Sequence, residues 1–370
     1  MNFQWTAKYK KLLAVFLLSG VLLWLFMGHN QRLYQTPIAQ VEQAKTIQVN
    51  QTKDQFENRD QEVTQRLRLK LLNTKHRGKK LTVQNQYYRS MGLTQRYRTG
   101  NQVFLSQLNL KPGHHVKATV SGLKRDRTLI MLLWLVTGLL VFTLGKAGGL
   151  AMLSVVINSI LLITAIEVNL KFQSWNAFAI FAGLALVFAM LSLVLVLGLN
   201  KKMIATLAST ILGTSVAVLL SYLILQITNE RGVYYESMQY VTQVPRPLFL
   251  AETLIGSLGA VMDESSDIVA TLFELKTLDP AVSFSQLFSS GRKVGRSIMG
   301  PLVNVLFLIF MADTFTSALM YLKNGNSIFY TFNMNMSLGM VQSLVSGIGI
   351  VLAVPLVSFF AASLLGRRQK

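Results

Sequence analysis

The chain has 370 residues, of which 51% are hydrophobic and 14% charged, and its mean hydropathy is +0.42. That balance is too apolar for a soluble protein of this length, so the expected class is a multi-pass membrane protein. The formal charge of +20 comes from 36 Lys and Arg against 16 Asp and Glu, an excess that in such proteins meets membrane surfaces and anionic lipid rather than nucleic acid. There is no cysteine, which excludes disulfides, thiolate metal sites, cysteine nucleophiles and palmitoylation. The histidines, His29, His76, His114 and His115, have no paired metal-ligand spacing, so no cofactor or metal is expected.

Eight runs carry little or no charge and approach the length of about 20 residues that a bilayer requires: 12–28, 129–145, 150–168, 177–198, 203–227, 248–275, 298–322 and 339–365. The first follows Lys8, Lys10 and Lys11 and has no small-residue cleavage site after it. It is expected to be an uncleaved signal anchor with its N-terminus inside, and a cleaved signal peptide is the rival reading.

Residues 29–128 hold 19 Lys and Arg against 6 acids, a net charge of +13. Here Leu67, Leu69 and Leu71 alternate with Arg66, Arg68 and Lys70, and "KKLTVQ", "NQVFLSQL" and "HHVKATVSG" follow, separated by "KHRGK", "YRTG" and "KPG". The period of two and the turn residues predict strands, giving a β-barrel or sandwich of about 80 residues. Its basic surface is either an ordinary solvated face or one that touches anionic envelope polymers or lipid headgroups. It contains no phosphate loop, metal-ligand cluster or catalytic spacing.

With eight crossings and an inside N-terminus, the short inside loops and tail, including Arg367, Arg368 and Lys370, hold 13 Lys and Arg, whereas the short outside loops hold 4. This asymmetry places both termini in the cytoplasm and residues 29–128 outside. It also favours a full crossing by the sixth run, which carries an unusual set of acids.

In that run, "ETLIGSLGAVMDESSDIVATLFEL", Glu252, Gly256, Gly259, Asp263, Asp267, Ala270 and Glu274 fall within an arc of roughly 80° on a helix. Glu264 lies some 60° off the stripe. Three ionised acids near a bilayer centre cost roughly 8 to 10 kcal/mol, while nine large apolar side chains return about 3 to 5. Such a helix must be covered by others, with its acids protonated, paired or open to water. The stripe is the expected cation or proton pathway, with Asp263 and Asp267 at its centre. The alternative is that it pairs with Arg246, Lys276, Arg292 or Arg296 to lock the bundle. "DESSD" is also a candidate helix break, because Ser265, Ser266 and Asp267 are good N-cap residues. Asp313, Asn304, Asn158 and Glu167 are further polar positions in apolar runs, and Pro301 and Pro355 are candidate kinks.

The run 252–275, "LFSSGRKVGRSIMGPLVNVLFL" and "SLVSGIGIVLAVPL" resemble the YibE/F-like family of bacterial multi-pass membrane proteins. "GKKLTVQNQY" and "RYRTGNQVFL" are similar to the extracytoplasmic part of its longer, YibE-type members. The resemblance implies Glu252, Gly256, Gly259, Met262 and Asp263 as family-like positions, followed by Gly291, Gly295, Arg296, Met299 and Gly300. Where the family reads "GRDIMG", this chain has Ser297, which removes a partner for Arg296. The resemblance implies an architecture and a second YibE/F-like subunit as partner, with no assigned activity.

The expected protein is therefore mainly α-helical and polytopic, with about eight transmembrane helices and a small extracytoplasmic all-β domain between the first two. Its segments are a signal anchor at 1–28, a basic domain at 29–128, four helices at 129–227, an outside loop at 228–247 and an acidic core at 248–370. It is expected to sit in the bacterial cell membrane among lipids. The expected function is a permease component handling a cation or proton; the alternative is a scaffold whose β-domain binds an envelope partner. An enzyme is not expected: an Asp263–Asp313 hydrolytic dyad is conceivable in composition, but no spacing joins the two.

Overall fold

The computed structural model describes residues 7–92, 94–109, 117–172, 176–238 and 245–365. His114, His115, Arg367, Arg368 and Lys370 lie outside them. The elements in order are α1 (Ala7–His29), β1 (Ile38–Lys53), β2 (Arg59–Leu71), β3 (Lys80–Tyr88), β4 (Gln102–Asn109), β5 (Lys117–Leu123), α2 (Asp126–Leu144), α3 (Lys146–Lys171) and α4 (Ala177–Leu197). They continue with α5 (Lys201–Ile227), α6 (Pro245–Leu278), α7 (Phe284–Lys323), α8 (Ile328–Thr331) and α9 (Ser337–Leu365). Two compact units divide at residues 143 and 144. The first thus groups α1, the sheet and nearly all of α2, whereas the sequence reading placed the second helix with the three that follow it.

In the first unit the period-two pattern acts as expected. Leu67, Leu69 and Leu71 are buried, and Arg66, Arg68 and Lys70 point to solvent. The strands form one antiparallel sheet in the order β3-β2-β1-β4-β5, neither a closed barrel nor a two-sheet sandwich. Register shifts at Val41/Gln43 and Thr46/Gln48 bend the 16-residue β1, as bulges do. The edge strands β3 and β5 approach each other without pairing. Asn73, buried beneath the sheet, accepts from the Ile38 amide at 2.7 Å and donates to the Thr36 carbonyl at 2.9 Å, so the segment leaving α1 is fixed to the end of β2.

The start of α2 closes onto that segment. Asp126 accepts from Asn30 at 2.9 Å, Tyr34 at 2.7 Å and Lys124 at 2.8 Å. The hydrogen bond to this carboxylate, helped by burial, raises the Tyr34 phenol above its ordinary value. Farther along, Phe16 of α1 stacks on Trp134 of α2 with centroids 4.0 Å apart. Gly20 and Gly138 make the approach feasible, because a Cβ at either would overlap the facing ring.

The second unit is a bundle of α3 to α9. Asn176 and Asn200 cap α4 and α5 by accepting from the amides of Phe178 and Met203, each at 2.9 Å. Between these helices Gly198 adopts φ 77°, a conformation that favours glycine. Ser283 and Gln286 form a capping box at α7, satisfying amides that the first turn leaves free. Among the described residues seven helices are long and apolar enough to cross a membrane. The run at 248–275 becomes α6, a 34-residue helix that is long enough, about 51 Å, but is not among the seven.

The expected break at "DESSD" does not occur, and α6 is continuous from Pro245 to Leu278. The Ser266 hydroxyl donates to the Met262 carbonyl at 2.8 Å, a bond back into the preceding turn that competes with capping. Pro301 and Pro355 likewise lie inside α7 and α9 without ending them.

Close packing of α6, α7 and α9 depends on glycine. A Cβ on Gly295 would stand 2.6 Å from Val354 Cγ1, and one on Gly291 2.5 Å from Ser358 Oγ, whereas one on Gly259 would meet nothing within 4 Å. Gly295→Ala is expected to destabilise the bundle by about 1 to 3 kcal/mol, the cost of overpacking, and Gly259→Ala to stabilise it by up to about 1 kcal/mol, the gain in helix propensity where no neighbour is met. Thermal unfolding of the purified variants checks the pair; equal effects would contradict this packing.

Candidate functional site

Val261 marks the place where α5, α6 and α9 meet. A Cβ added to Gly213 of α5 would stand 3.2 Å from Val261 Cγ1, and one added to Gly349 of α9 2.9 Å from Val261 Cγ2. Leu225 clusters with Phe249 and Leu250, and Ala205 with Val261 and Ile268, so α5 and α6 run antiparallel. One turn from the Gly213–Val261 contact, this register brings Thr210 to the depth of Glu264 and Ser209 to that of Ser265.

Glu264 is fully buried, at 0% exposure, and among the described residues neither carboxylate oxygen has a hydrogen-bond partner. The hydroxyls of Thr210, Thr214 and Ser265 are also buried and unpartnered. Their neighbours are satisfied: Thr206 donates to the Lys202 carbonyl at 3.0 Å and Ser209 to that of Ala205 at 2.7 Å. Most buried polar groups have partners, so orphaned hydroxyls at the depth of a buried acid, Thr210 and Ser265, and one turn away, Thr214, call for a cause. An ionised carboxylate held in a low-dielectric interior without a counter-charge costs several kcal/mol. The arrangement therefore suits a group that takes up a proton or a single positive charge, with hydroxyl oxygens available as further ligands.

The structure places the expected stripe elsewhere. Glu252, Gly256, Gly259, Asp263, Asp267 and Glu274 lie on the face of α6 that points away from the bundle and are exposed, as are Arg296 and Asp313 on α7. The expected cationic partners do not meet these acids. Arg246 pairs with Glu230 at 3.0 Å, Lys276 donates to the carbonyls of Pro280 and Val282 at 2.8 and 3.1 Å, and Arg292 lies over the Phe288 ring. Nor do Asp263 and Asp313 come together: Gly295 meets Ile268 and Gly291 meets Leu272, a register that carries Asp313 to the depth of Leu250, roughly 20 Å along α6 from Asp263.

Glu264, which stands off the acidic stripe, is the acid that the bundle buries. Its signal was present in the spacing, since it shares a face with Ser257, Val261, Ile268 and Leu272, all of them buried.

A second arrangement lies toward the start of α6. Asn229 and Glu230 both adopt positive φ, 49° and 58°, an uncommon conformation for residues with a Cβ, and this turn presents Glu230 to Arg246. The guanidinium also lies 4.9 Å from the Tyr222 ring centroid. Burial, and secondarily the Glu230 carboxylate, push the nearby Tyr235 phenol up, while Arg246 acts in the opposite sense.

Comparison with known families then decides the chain's relationship. The model for YibE/F-like protein matches residues 132–367, and that for the YibE/F family N-terminal domain matches residues 32–123. The chain belongs to the YibE/F-like family. The N-terminal match covers the whole β-sheet, and the longer YibE/F-like match begins inside α2 and contains every helix of the bundle, with Glu264 among its residues. Searches of curated proteins and of solved structures each returned no match.

Proposed function

We propose that this YibE/F-like protein is a permease component of the bacterial cell membrane in which Glu264 carries a proton or a small monovalent cation. The observation that carries the reading is the fully buried, unpartnered carboxylate at the level of unpartnered hydroxyls. Intramembrane acids of this kind are costly and recur in ion and proton pathways. Among the described residues no three His, Cys, Asp or Glu gather as a metal-binding group, so the donor set is one carboxylate with hydroxyls, matched to unit charge. Direct support would be flux through reconstituted protein that depends on the Glu264 carboxyl.

In this reading α6 crosses the membrane with the seven apolar helices, because α4, α5, α7 and α9 cover most of its circumference. Both termini lie in the cytoplasm and residues 29–128 outside, on the strength of the 13 to 4 distribution of Lys and Arg on short loops. The basic outside domain then faces the anionic polymers and headgroups of the envelope.

The outward stripe supports a second element of the proposal. Glu252, Asp263, Asp267 and Glu274 cannot face hydrocarbon at acceptable cost, and the open space at Gly256 and Gly259 lets another helix approach. A second YibE/F-like subunit is proposed to cover this face. The cysteine-free chain makes the test direct. Single cysteines at 256, 259, 263 and 267 are expected to cross-link to a neighbouring subunit in native membranes, whereas cysteines at the buried positions 257 and 261 are not. Ready labelling of the first set by a membrane-impermeant thiol reagent, with no cross-linking, would replace the subunit with an aqueous channel.

A further inference from the structure

Within the second unit, α4, α5 and α6 enclose a cleft of about 590 Å3, within the size range of small-molecule sites. Its walls are mainly apolar, with Phe178, Ala182, Leu186, Val218, Leu250 and Leu254 among the lining residues. It runs from Arg246 at the first turn of α6 to Leu258, a length of about 18 Å, close to the depth of one leaflet of a hydrocarbon core about 30 Å thick. Polar character is concentrated at the Arg246 end, with Asn176 and Tyr222, and reappears at depth only in Thr214 and Ser215.

The state of Arg246 indicates what the polar end would hold. Its Nη1 bonds to Glu230, while Nε and Nη2 are buried and have no hydrogen-bond partner among the described residues. Those two nitrogens form one edge of the guanidinium, and that edge binds phosphate and carboxylate oxygens side-on through two parallel hydrogen bonds. A buried fork without an acceptor is an unmet demand for an oxyanion. Glu230 and the Tyr222 ring keep the guanidinium at the mouth of the cleft.

From this geometry we infer that the cleft is a binding site for a phospholipid, with the headgroup phosphate at the Arg246 mouth, where a turn of the side chain brings the buried Nε–Nη2 edge to the lipid, and an acyl chain along α4, α5 and α6. The inference goes beyond the role of Glu264, since equilibrium binding requires no transport. The polar mouth and the chain-length apolar wall are both necessary to it: phosphate alone would leave the cleft empty, and a neutral lipid would leave Arg246 without its acceptor.

The test uses the purified full-length protein in detergent and the fluorescence anisotropy of a short-chain phosphatidylglycerol carrying a fluorophore on its glycerol headgroup. Unlabelled dioctanoyl phosphatidylglycerol is expected to displace it, and dioctanoylglycerol and inorganic phosphate to fail at equal concentration. Arg246→Gln is expected to weaken binding at least about tenfold, as loss of a charge-assisted bidentate contact does. Because that change also strips Glu230 of its partner, Ala182→Trp provides a second arm that fills the cleft and leaves the ion pair intact; it too is expected to weaken binding about tenfold. Equal displacement by dioctanoylglycerol would reduce the site to a greasy groove and overturn the inference. So would wild-type affinity in either variant, and displacement by inorganic phosphate would convert the site to one for free anions.

Discussion

Glu264→Gln protein is expected to fold and accumulate as the wild type does, yet to lose proton or monovalent-cation flux by at least about tenfold, within the range over which a positioned proton-transfer group matters. Glutamine preserves the shape of the side chain, with an amide NH2 in place of one carboxyl oxygen, but neither ionises nor neutralises a cation. The measurement is made on proteoliposomes with a pH-sensitive dye trapped inside, under an imposed pH difference and then under imposed sodium or potassium gradients. Glu264→Leu sharpens the result. Removing an unpartnered buried acid and filling its volume with hydrocarbon is expected to raise stability by about 1 to 3 kcal/mol while abolishing flux. A residue kept for structure shows the opposite pattern, with Leu destabilising and flux scaling with protein abundance. Unchanged flux in the Gln variant would sink the ion-carrying role.

Asp126→Ala is expected to have the largest effect on folding. Lys124 is 2% exposed and Asp126 17%; the carboxylate is the ammonium's salt-bridge partner and the acceptor for Asn30 and Tyr34. Truncating it leaves a buried positive charge uncompensated, which costs about 3 to 5 kcal/mol. In the first unit this appears as a fall of about 10 °C or more in the melting temperature, followed by the fluorescence of Trp24 and Trp134. Arg127 lies 3.6 Å from the Trp24 ring centroid and Trp134 stacks on Phe16, so both probes report on the join between α1 and α2. The double change Asp126→Ala with Lys124→Met removes the stranded charge and is expected to regain part of the loss. If the double variant were less stable than Asp126→Ala alone, the charge would not be the cause.

Several of the strands were legible because alternation is a local signal. "QRLRLKLLN" declares β2 without reference to anything else in the chain. β1 was not among the expected strands: "IAQVEQAKTIQVNQTK" has few large apolar residues, two register shifts interrupt its alternation, and its second half is exposed. Its position beside β2 and β4 depends on long-range pairing, which no window of sequence contains. The result is one curled sheet rather than the barrel or sandwich expected from strand number alone.

The candidate site divides in the same way. By itself the sequence determined that α6 is a helix, that Glu252, Gly256, Gly259, Asp263, Asp267 and Glu274 share one side of it, that Glu264 stands off that side, and which family-like motifs surround them. Helical periodicity fixes the angles between residues along one element. It does not fix where the bundle lies. Only the tertiary structure decided that the small and β-branched face bearing Ser257, Val261 and Ile268 turns inward, because the glycines of α5 and α9 admit Val261 at close range. That choice buries Glu264 and turns the acidic stripe outward, and it follows from packing, which is a property of pairs of helices and not of one.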